Sequence, residues 1–171
     1  MQIRIREVTH DKLAEDTATV AELAKVIWNE YYTPIIGQDQ VAYMLTEFQS
    51  VKPIARDIVD KGYRYWLAED IDAGIPVGYC GGAPEDDRLF LSKIYVLKLY
   101  RGCGVARAFL NELTAWAREL NLSVIGLNVN KDNADSIAAY EKLGFQITGT
   151  MWADIGGGFV MDDYTMELAV P

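Results

Sequence analysis

Six residues in the second half of the chain, Arg101-Gly102-Cys103-Gly104-Val105-Ala106, have the types and spacing to hold an anion. Two glycines let a backbone bend closely with no Cβ in the way. A helix that starts just after them has free N–H groups in its first turn, and these point back into the bend. Such a bend suits a phosphate. Arg101 would add a charged, forked donor. A Walker-type loop requires Gly-Lys-Ser/Thr at its end; here Val105 and Ala106 follow the second glycine, which excludes it. A dinucleotide fingerprint requires a third glycine where Arg107 stands, and normally follows the first strand of its domain. A plain tight turn with a helix cap remains the simplest alternative. Cys103 lies inside the loop with no neighbouring histidine, so nothing in the sequence activates it as a nucleophile.

The elements that must position this loop flank it. Leu89–Leu97 is rich in apolar and aromatic residues and is predicted as a strand. Ala106, Phe109, Leu110, Leu113, Ala117 and Leu120 recur at helical spacing, so the loop is a strand-to-helix junction. Ser123–Val129 is predicted as the next strand. A loop over Lys131–Asp135 then leads into a helix, Ser136–Lys142, closed by Gly144. Gln146–Trp152 and Phe159–Val170 form a last hairpin across Asp154–Gly158.

Upstream, Gln2–Val8 alternates as a first strand and Thr9–Asp16 reads as a polar turn. Thr17–Tyr32 carries an apolar helical stripe that Pro34 and Gly37 stop. Helices over Gln38–Phe48 and Pro53–Lys61 follow, then strands over Tyr63–Glu69 and Ile75–Gly82 and a hairpin loop over Ala83–Arg88. No repeat, low-complexity tract or linker interrupts the chain, and residues 1–171 are read as one domain. The order of elements is that of a mixed α/β sheet.

Two motifs together resemble the GNAT N-acetyltransferase superfamily. Arg101-x-x-Gly104-x-Ala106 is similar to its pyrophosphate loop, Gln/Arg-x-x-Gly-x-Gly/Ala. Asn133-Ala-Asp-Ser136-Ile-Ala-Ala-Tyr140-Glu-Lys-Leu143-Gly144-Phe145 is similar to its second signature, in the right order and one helix and one strand downstream. The resemblance covers about Tyr65 to Leu168; before that, only the order of elements agrees.

The resemblance implies a mostly antiparallel seven-stranded sheet, splayed between strands four and five and flanked by helices. It implies acetyl-CoA as the acetyl donor, with pantetheine lying in the splay against the backbone of Ile94, Tyr95 and Val96. The pyrophosphate would rest on Arg101, Gly102, Cys103, Gly104, Val105 and Ala106. A neutral amine would attack the thioester directly, with a backbone N–H of strand four facing the oxyanion. Tyr140 would protonate the departing thiolate, and its alternative is a core tyrosine on an amphipathic helix. Asn133 would contact the cofactor or hold the splay open, or simply cap its helix. Family members often carry a glutamate on strand four near Ser92 or Lys93, and here it is missing. Glu85, Asp86, Asp87 and Asp154 are acidic substitutes with no pattern behind them. Tyr32 is a candidate wall of the acceptor pocket, and Asn128 a candidate cofactor or substrate contact.

Composition bounds the partners. The chain has 171 residues, half of them hydrophobic, and a net charge of −9. That charge opposes nonspecific nucleic-acid binding, which depends on neutralising phosphates. It suits a cationic acceptor, and a small polyamine-like amine is the favoured one. Acetylation of a protein N-terminus or lysine, and a CoA-binding regulatory module without turnover, are the alternatives. No run approaches ~18 apolar residues, so no membrane span is expected, and the N-terminus has no signal-peptide core, so a cytoplasmic location is expected. Two cysteines and one histidine give no metal cluster. The resemblance also leaves open a homodimer through the exposed last hairpin.

Overall fold

The computed structural model describes residues 1–171. Seven strands make up its sheet: β1 (Ile3–Glu7), β2 (Arg64–Asp70), β3 (Ile75–Pro84), β4 (Leu89–Val96), β5 (Val124–Asn130), β6 (Gln146–Gly156) and β7 (Phe159–Ala169). Four helices lie between β1 and β2: α1 (Leu13–Tyr31), α2 (Thr33–Ile36), α3 (Gln38–Glu47) and α4 (Val51–Asp60). A longer one, α5 (Val105–Glu119), joins β4 to β5, and α6 (Ala134–Leu143) joins β5 to β6. The strands lie in the order β1-β2-β3-β4-β5-β7-β6. Every neighbouring pair is antiparallel except β4 and β5.

Two apolar layers cover the sheet. In β2 the side chains alternate between them: Tyr65 and Leu67 pack with Val20, Leu23 and Ile27 of α1, while Trp66 and Ala68 pack with Phe109, Leu113 and Trp116 of α5. Burial on both faces explains why β2 reads as a nearly continuous apolar run. Each large side chain in these layers contributes about 1.5–3 kcal/mol by leaving water.

Two expectations for the N-terminal region change. The polar stretch before Thr17 is not a turn: α1 begins at Leu13. Asp16 is fully buried and grips both ends of the Arg6 guanidinium at 2.8 and 2.9 Å. Thr17 Oγ1 folds back to donate to the Leu13 carbonyl at 2.7 Å. An ion pair with β1 thus turns residues that look solvated into a helix start. Pro34 likewise does not end helical structure; it sits in the first turn of α2, where a missing N–H is tolerated. Gly37, at φ 85°, makes the break. The last hairpin is longer than expected, with both strands running almost to Gly157 and Gly158.

The strands that matter most for function are the parallel pair. β4 and β5 touch only at Leu89–Ile125 and Phe90–Gly126, then part. On its other side, β4 pairs Leu91 with Gly82 and Lys93 with Gly81, leaving Ser92 as an extra residue. A bulge of this kind bends its strand and increases its twist. Beyond it, the Leu97 N–H donates to the Val77 carbonyl at 2.9 Å. Alternation along an antiparallel strand then turns the Tyr95 backbone groups toward β3 and those of Ile94 and Val96 toward the gap.

Candidate active site

The turn after β4 is held by glycine for a different reason from the one its sequence suggests. A Cβ placed on Gly102 or Gly104 would meet nothing within 4 Å, so room is not the constraint. Their φ angles, 77° and 84°, are the constraint, because side chains rarely adopt that region. Gly104 is the N-cap of α5, and no side chain caps the helix. The free N–H groups of its first turn and the positive end of its dipole therefore face the exposed turn. Val105 is buried under α5, whereas Arg101, Gly102, Cys103 and Gly104 are exposed. Arg101 is anchored from beneath: its Nε donates to the Val96 carbonyl at 3.0 Å, and its guanidinium stands 4.7 Å from the centre of the Tyr31 ring.

Behind the turn, the parting of β4 and β5 opens a cleft of about 340 Å³. Ile94, Tyr95, Asn128, Asn133 and Tyr140 line it, as does Tyr32. The Arg101–Ala106 turn is not part of that lining, so turn and cleft are adjacent features. Val96 also lies outside the lining, although its backbone faces the gap.

Tyr140 projects from α6 against Phe145, with ring centres 5.9 Å apart. Its hydroxyl makes no hydrogen bond within the protein. Burial pushes its ionisation above the ordinary tyrosine value, with Tyr32, Cys80 and Tyr31 adding to the effect. It therefore stays a protonated donor through neutral pH. Asn133 is nearly sealed, at 2% exposure, and its Oδ1 accepts from the Ser136 N–H at 3.2 Å, the ordinary cap of α6. The same oxygen accepts from the Tyr31 hydroxyl at 2.7 Å. Tyr31 thus touches both the turn and the cap of α6, a link between residues far apart in sequence that no local pattern announces.

The far end of the cleft is walled by aromatic and aliphatic side chains. Tyr32 stacks on Trp28 at 4.3 Å and meets Tyr95 edge-on. Burial pushes the Tyr32 hydroxyl up as well. Tyr43 of α3 donates to the Ile155 carbonyl at 2.6 Å, and Gln40 Nε2 donates to that of Val160 at 3.1 Å. These bonds tie α3 to the tip of the last hairpin across the cleft. On β5, Asn128 Oδ1 accepts from Thr165 at 3.3 Å, which fixes its side chain at the cleft wall.

None of the acidic residues offered in place of the missing glutamate reaches the cleft. Glu85, Asp86 and Asp87 are exposed, and Glu85 pairs with Arg88 at 2.7 Å. Asp154 is exposed and accepts from its own hairpin at Gly156. Instead, the bulge presents a lysine. Lys93 is 6% exposed, donates to the Tyr65 hydroxyl at 2.8 Å and lies 3.4 Å from Asp57 of α4. Burial lowers its ionisation, opposed by Asp57. A carboxylate does line the cleft, on β7: Asp163, 3% exposed. Burial, helped by Asp162, pushes its carboxyl up to about 6. Its sequence signal was a charged residue at a strand position that the period-two pattern turns inward, two residues after Met161.

The gap, the turn and the open hydroxyl fit a thioester donor with a pyrophosphate. Backbone groups of Ile94 and the Val96 N–H face the gap, where amides laid along β4 can meet them, while the Val96 carbonyl is engaged by Arg101 Nε. The glycine turn and α5 suit the phosphates. The Tyr140 hydroxyl is left free to donate within the gap.

Comparison with known proteins points the same way. The sequence profile of the acetyltransferase (GNAT) family matches residues 21–145. An uncharacterised N-acetyltransferase of Mycobacterium tuberculosis is 36% identical over 91 residues, which cover 53% of this chain and 58% of that protein. The chain thus spans little more than half the length of that relative. The fold is that of the PaiA N-acetyltransferase from Thermoplasma acidophilum, solved in complex with coenzyme A: TM-score 0.79 over 99% of both chains, at 20% identity. A nourseothricin acetyltransferase structure is 27% identical, with a TM-score of 0.58 over 66% of this chain and 68% of that one.

Proposed function

The chain belongs to the acetyltransferase (GNAT) family, and on that footing we propose that it is an acetyl-CoA-dependent N-acetyltransferase acting on a primary amine of a small molecule. The observation that carries this reading is the parting of β4 from β5 after Phe90 and Gly126, with the Tyr140 hydroxyl unbonded in the opening.

The residues divide the work. The Ile94 and Val96 backbones align the donor's pantetheine arm, and the turn from Arg101 to Ala106 holds its pyrophosphate. Asn133 fixes the start of α6 and so the position of Tyr140. A backbone N–H of β4, from Ile94, faces the thioester oxygen as charge builds on it. Tyr140 gives a proton to the leaving sulfur. Holding both reactants in one cleft supplies most of the acceleration.

The net charge of −9 suits a cationic acceptor. The bonds from Tyr43 and Gln40 to the last hairpin support a small acceptor over a peptide, because they bridge the route an extended chain would take.

The test is twofold. Melting with and without coenzyme A reads donor binding, since a ligand of the folded state raises Tm. Thiol release from acetyl-CoA across a panel of amines, polyamines and short peptides reads transfer. A CoA-dependent rise in Tm with turnover on a small amine is expected. Turnover on peptides alone would overturn the acceptor assignment, and no CoA effect would overturn the donor.

A further inference from the structure

Only two side chains lining the cleft carry charge, Lys93 and Asp163. Lys93 is already answered by Asp57 and Tyr65. Asp163 is not. It accepts no hydrogen bond and pairs with no cation in the protein; Lys131, the basic residue whose charge reaches it, pairs with Asp162 at 2.7 Å. A buried carboxylate without a partner is costly to keep. It is 97% hidden yet reaches the cleft, so a ligand is the partner it lacks. Apart from Gln40 and Gln49, whose amides are bonded to Val160 and Tyr79, the walls on its side of the sheet are apolar: Met151 and Ile155 of β6, Val160 and Met161 of β7, Met44 of α3 and Trp28 of α1.

We propose that Asp163 binds the ammonium of the acceptor and takes its proton, and that the acceptor is a monoamine with an apolar body rather than a polycation. This rests on the transferase reading above. One carboxylate answers one ammonium; a second positive charge would have to be buried among methionines and isoleucines.

The proton count closes. The ammonium passes one proton to the Asp163 carboxylate and becomes a nucleophile. Its lone pair forms the N–C bond at the thioester carbon, and the C–S bond breaks. Tyr140 protonates the sulfur and recovers a proton from the new amide nitrogen. Asp163 releases its proton to water when the product leaves, so each turnover yields an amide, a thiol and one proton.

The position of Asp163 on the pH scale agrees with this use. Burial pushes its carboxyl up to about 6, with Asp162 on its own strand adding and Lys131, beyond β5, opposing. Its cross-strand neighbours, Asn130 of β5 and Met151 of β6, carry no charge. Lys93 and Tyr95 of β4, Tyr32 after α1 and Tyr140 of α6 are the other titratable groups lining the cleft, and burial keeps the three hydroxyls protonated. A carboxylate of this strength is ionised at neutral pH and still basic enough to accept a proton in the cleft.

The experiment compares wild type with Asp163→Asn, using 2-phenylethylamine and spermidine as probes. Binding is read first, without turnover: 2-phenylethylamine should raise the Tm of the CoA complex of wild type and leave that of Asp163→Asn unmoved. With acetyl-CoA, Asp163→Asn should lose about 100-fold or more in kcat/KM while keeping its CoA-dependent rise in Tm. The rise of wild-type kcat/KM with pH near 6 should vanish in the variant. Wild type should prefer 2-phenylethylamine to spermidine. Activity of Asp163→Asn within threefold of wild type, a preference for spermidine, or no response of the wild-type Tm to 2-phenylethylamine would each overturn the assignment. Failure of CoA alone to raise Tm would instead strike the transferase reading, which the amine melts, repeated without CoA, keep separate from the ammonium site.

Discussion

The Tyr31 hydroxyl donates to Asn133 Oδ1 at 2.7 Å, joining the end of α1 to the cap of α6 across 102 positions of sequence. The Arg101 guanidinium lies against the same ring. One side chain therefore sets the turn proposed to hold pyrophosphate relative to the helix that carries Tyr140. Tyr31→Phe keeps the ring and loses the bond. It should cost about 1 kcal/mol in stability and weaken CoA only slightly, whereas Tyr31→Ala should weaken CoA clearly, because Arg101 loses its platform. Thermal melts with and without CoA read both effects.

Tyr140→Phe removes the only proton donor the structure aims into the gap from α6. Rate should fall by about 10²-fold or more, while the CoA-dependent shift in Tm should stay within error. Because burial raises the ionisation of Tyr140, no loss of wild-type activity should trace to this residue below pH 10. Initial rates against pH for both proteins check this.

Asp163 should trade stability for activity. Its carboxyl is raised from an ordinary 3.8 to about 6. The folded state therefore holds a proton that the unfolded state has released between those values, and stability falls as pH rises through that window. Asp163→Asn removes this fall. It should be more stable than wild type at pH 7.5 by about 1–3 kcal/mol, and the two should converge below pH 4. Urea denaturation at pH 4 and pH 7.5 measures the difference.

The Lys93–Asp57 pair should behave in the opposite way. Burial lowers the ionisation of Lys93, so the unfolded state binds more protons than the folded state just below the ordinary lysine value. This group's contribution to stability rises as pH climbs toward that value. Lys93→Met alone leaves Asp57 buried, with the Tyr65 hydroxyl at 3.3 Å and Lys61 at 3.8 Å as its remaining partners, and should cost about 3–5 kcal/mol. Adding Asp57→Asn should recover much of that. Equilibrium denaturation of the single and double variants decides it.

How much of this was legible in the sequence depends on the range of the interaction. Local periodicity gives the strands and helices around the glycine turn; the splay and the interest of Tyr140 and Asn133 come from the family resemblance that two short motifs carry, while Tyr32 and Asn128 are candidates with no motif, and all four line the cleft. What was missed is long-range. Asp16 looks like a solvated turn residue until Arg6 of β1 is known to reach it. Tyr31 looks like one more aromatic on a helix stripe. Lys93 looks exposed until Asp57 of α4 and Tyr65 of β2 are known to reach it. Asp163 reads as one of two neighbouring acids inside the last strand, and only the packing of α1 and α3 over that face shows that it lines a cleft. Glycine was foreseen at 102 and 104, but for room, whereas the backbone angle is what demands it.

Direct transfer in one cleft is tested most plainly by initial rates of thiol release, varying 2-phenylethylamine at several fixed concentrations of acetyl-CoA. Both substrates must occupy the β4–β5 cleft together, so reciprocal plots should intersect to the left of the axis. Parallel lines would mean that the acetyl group first moves onto the protein. That result would contradict attack by the bound amine and the roles given to Tyr140 and Asp163.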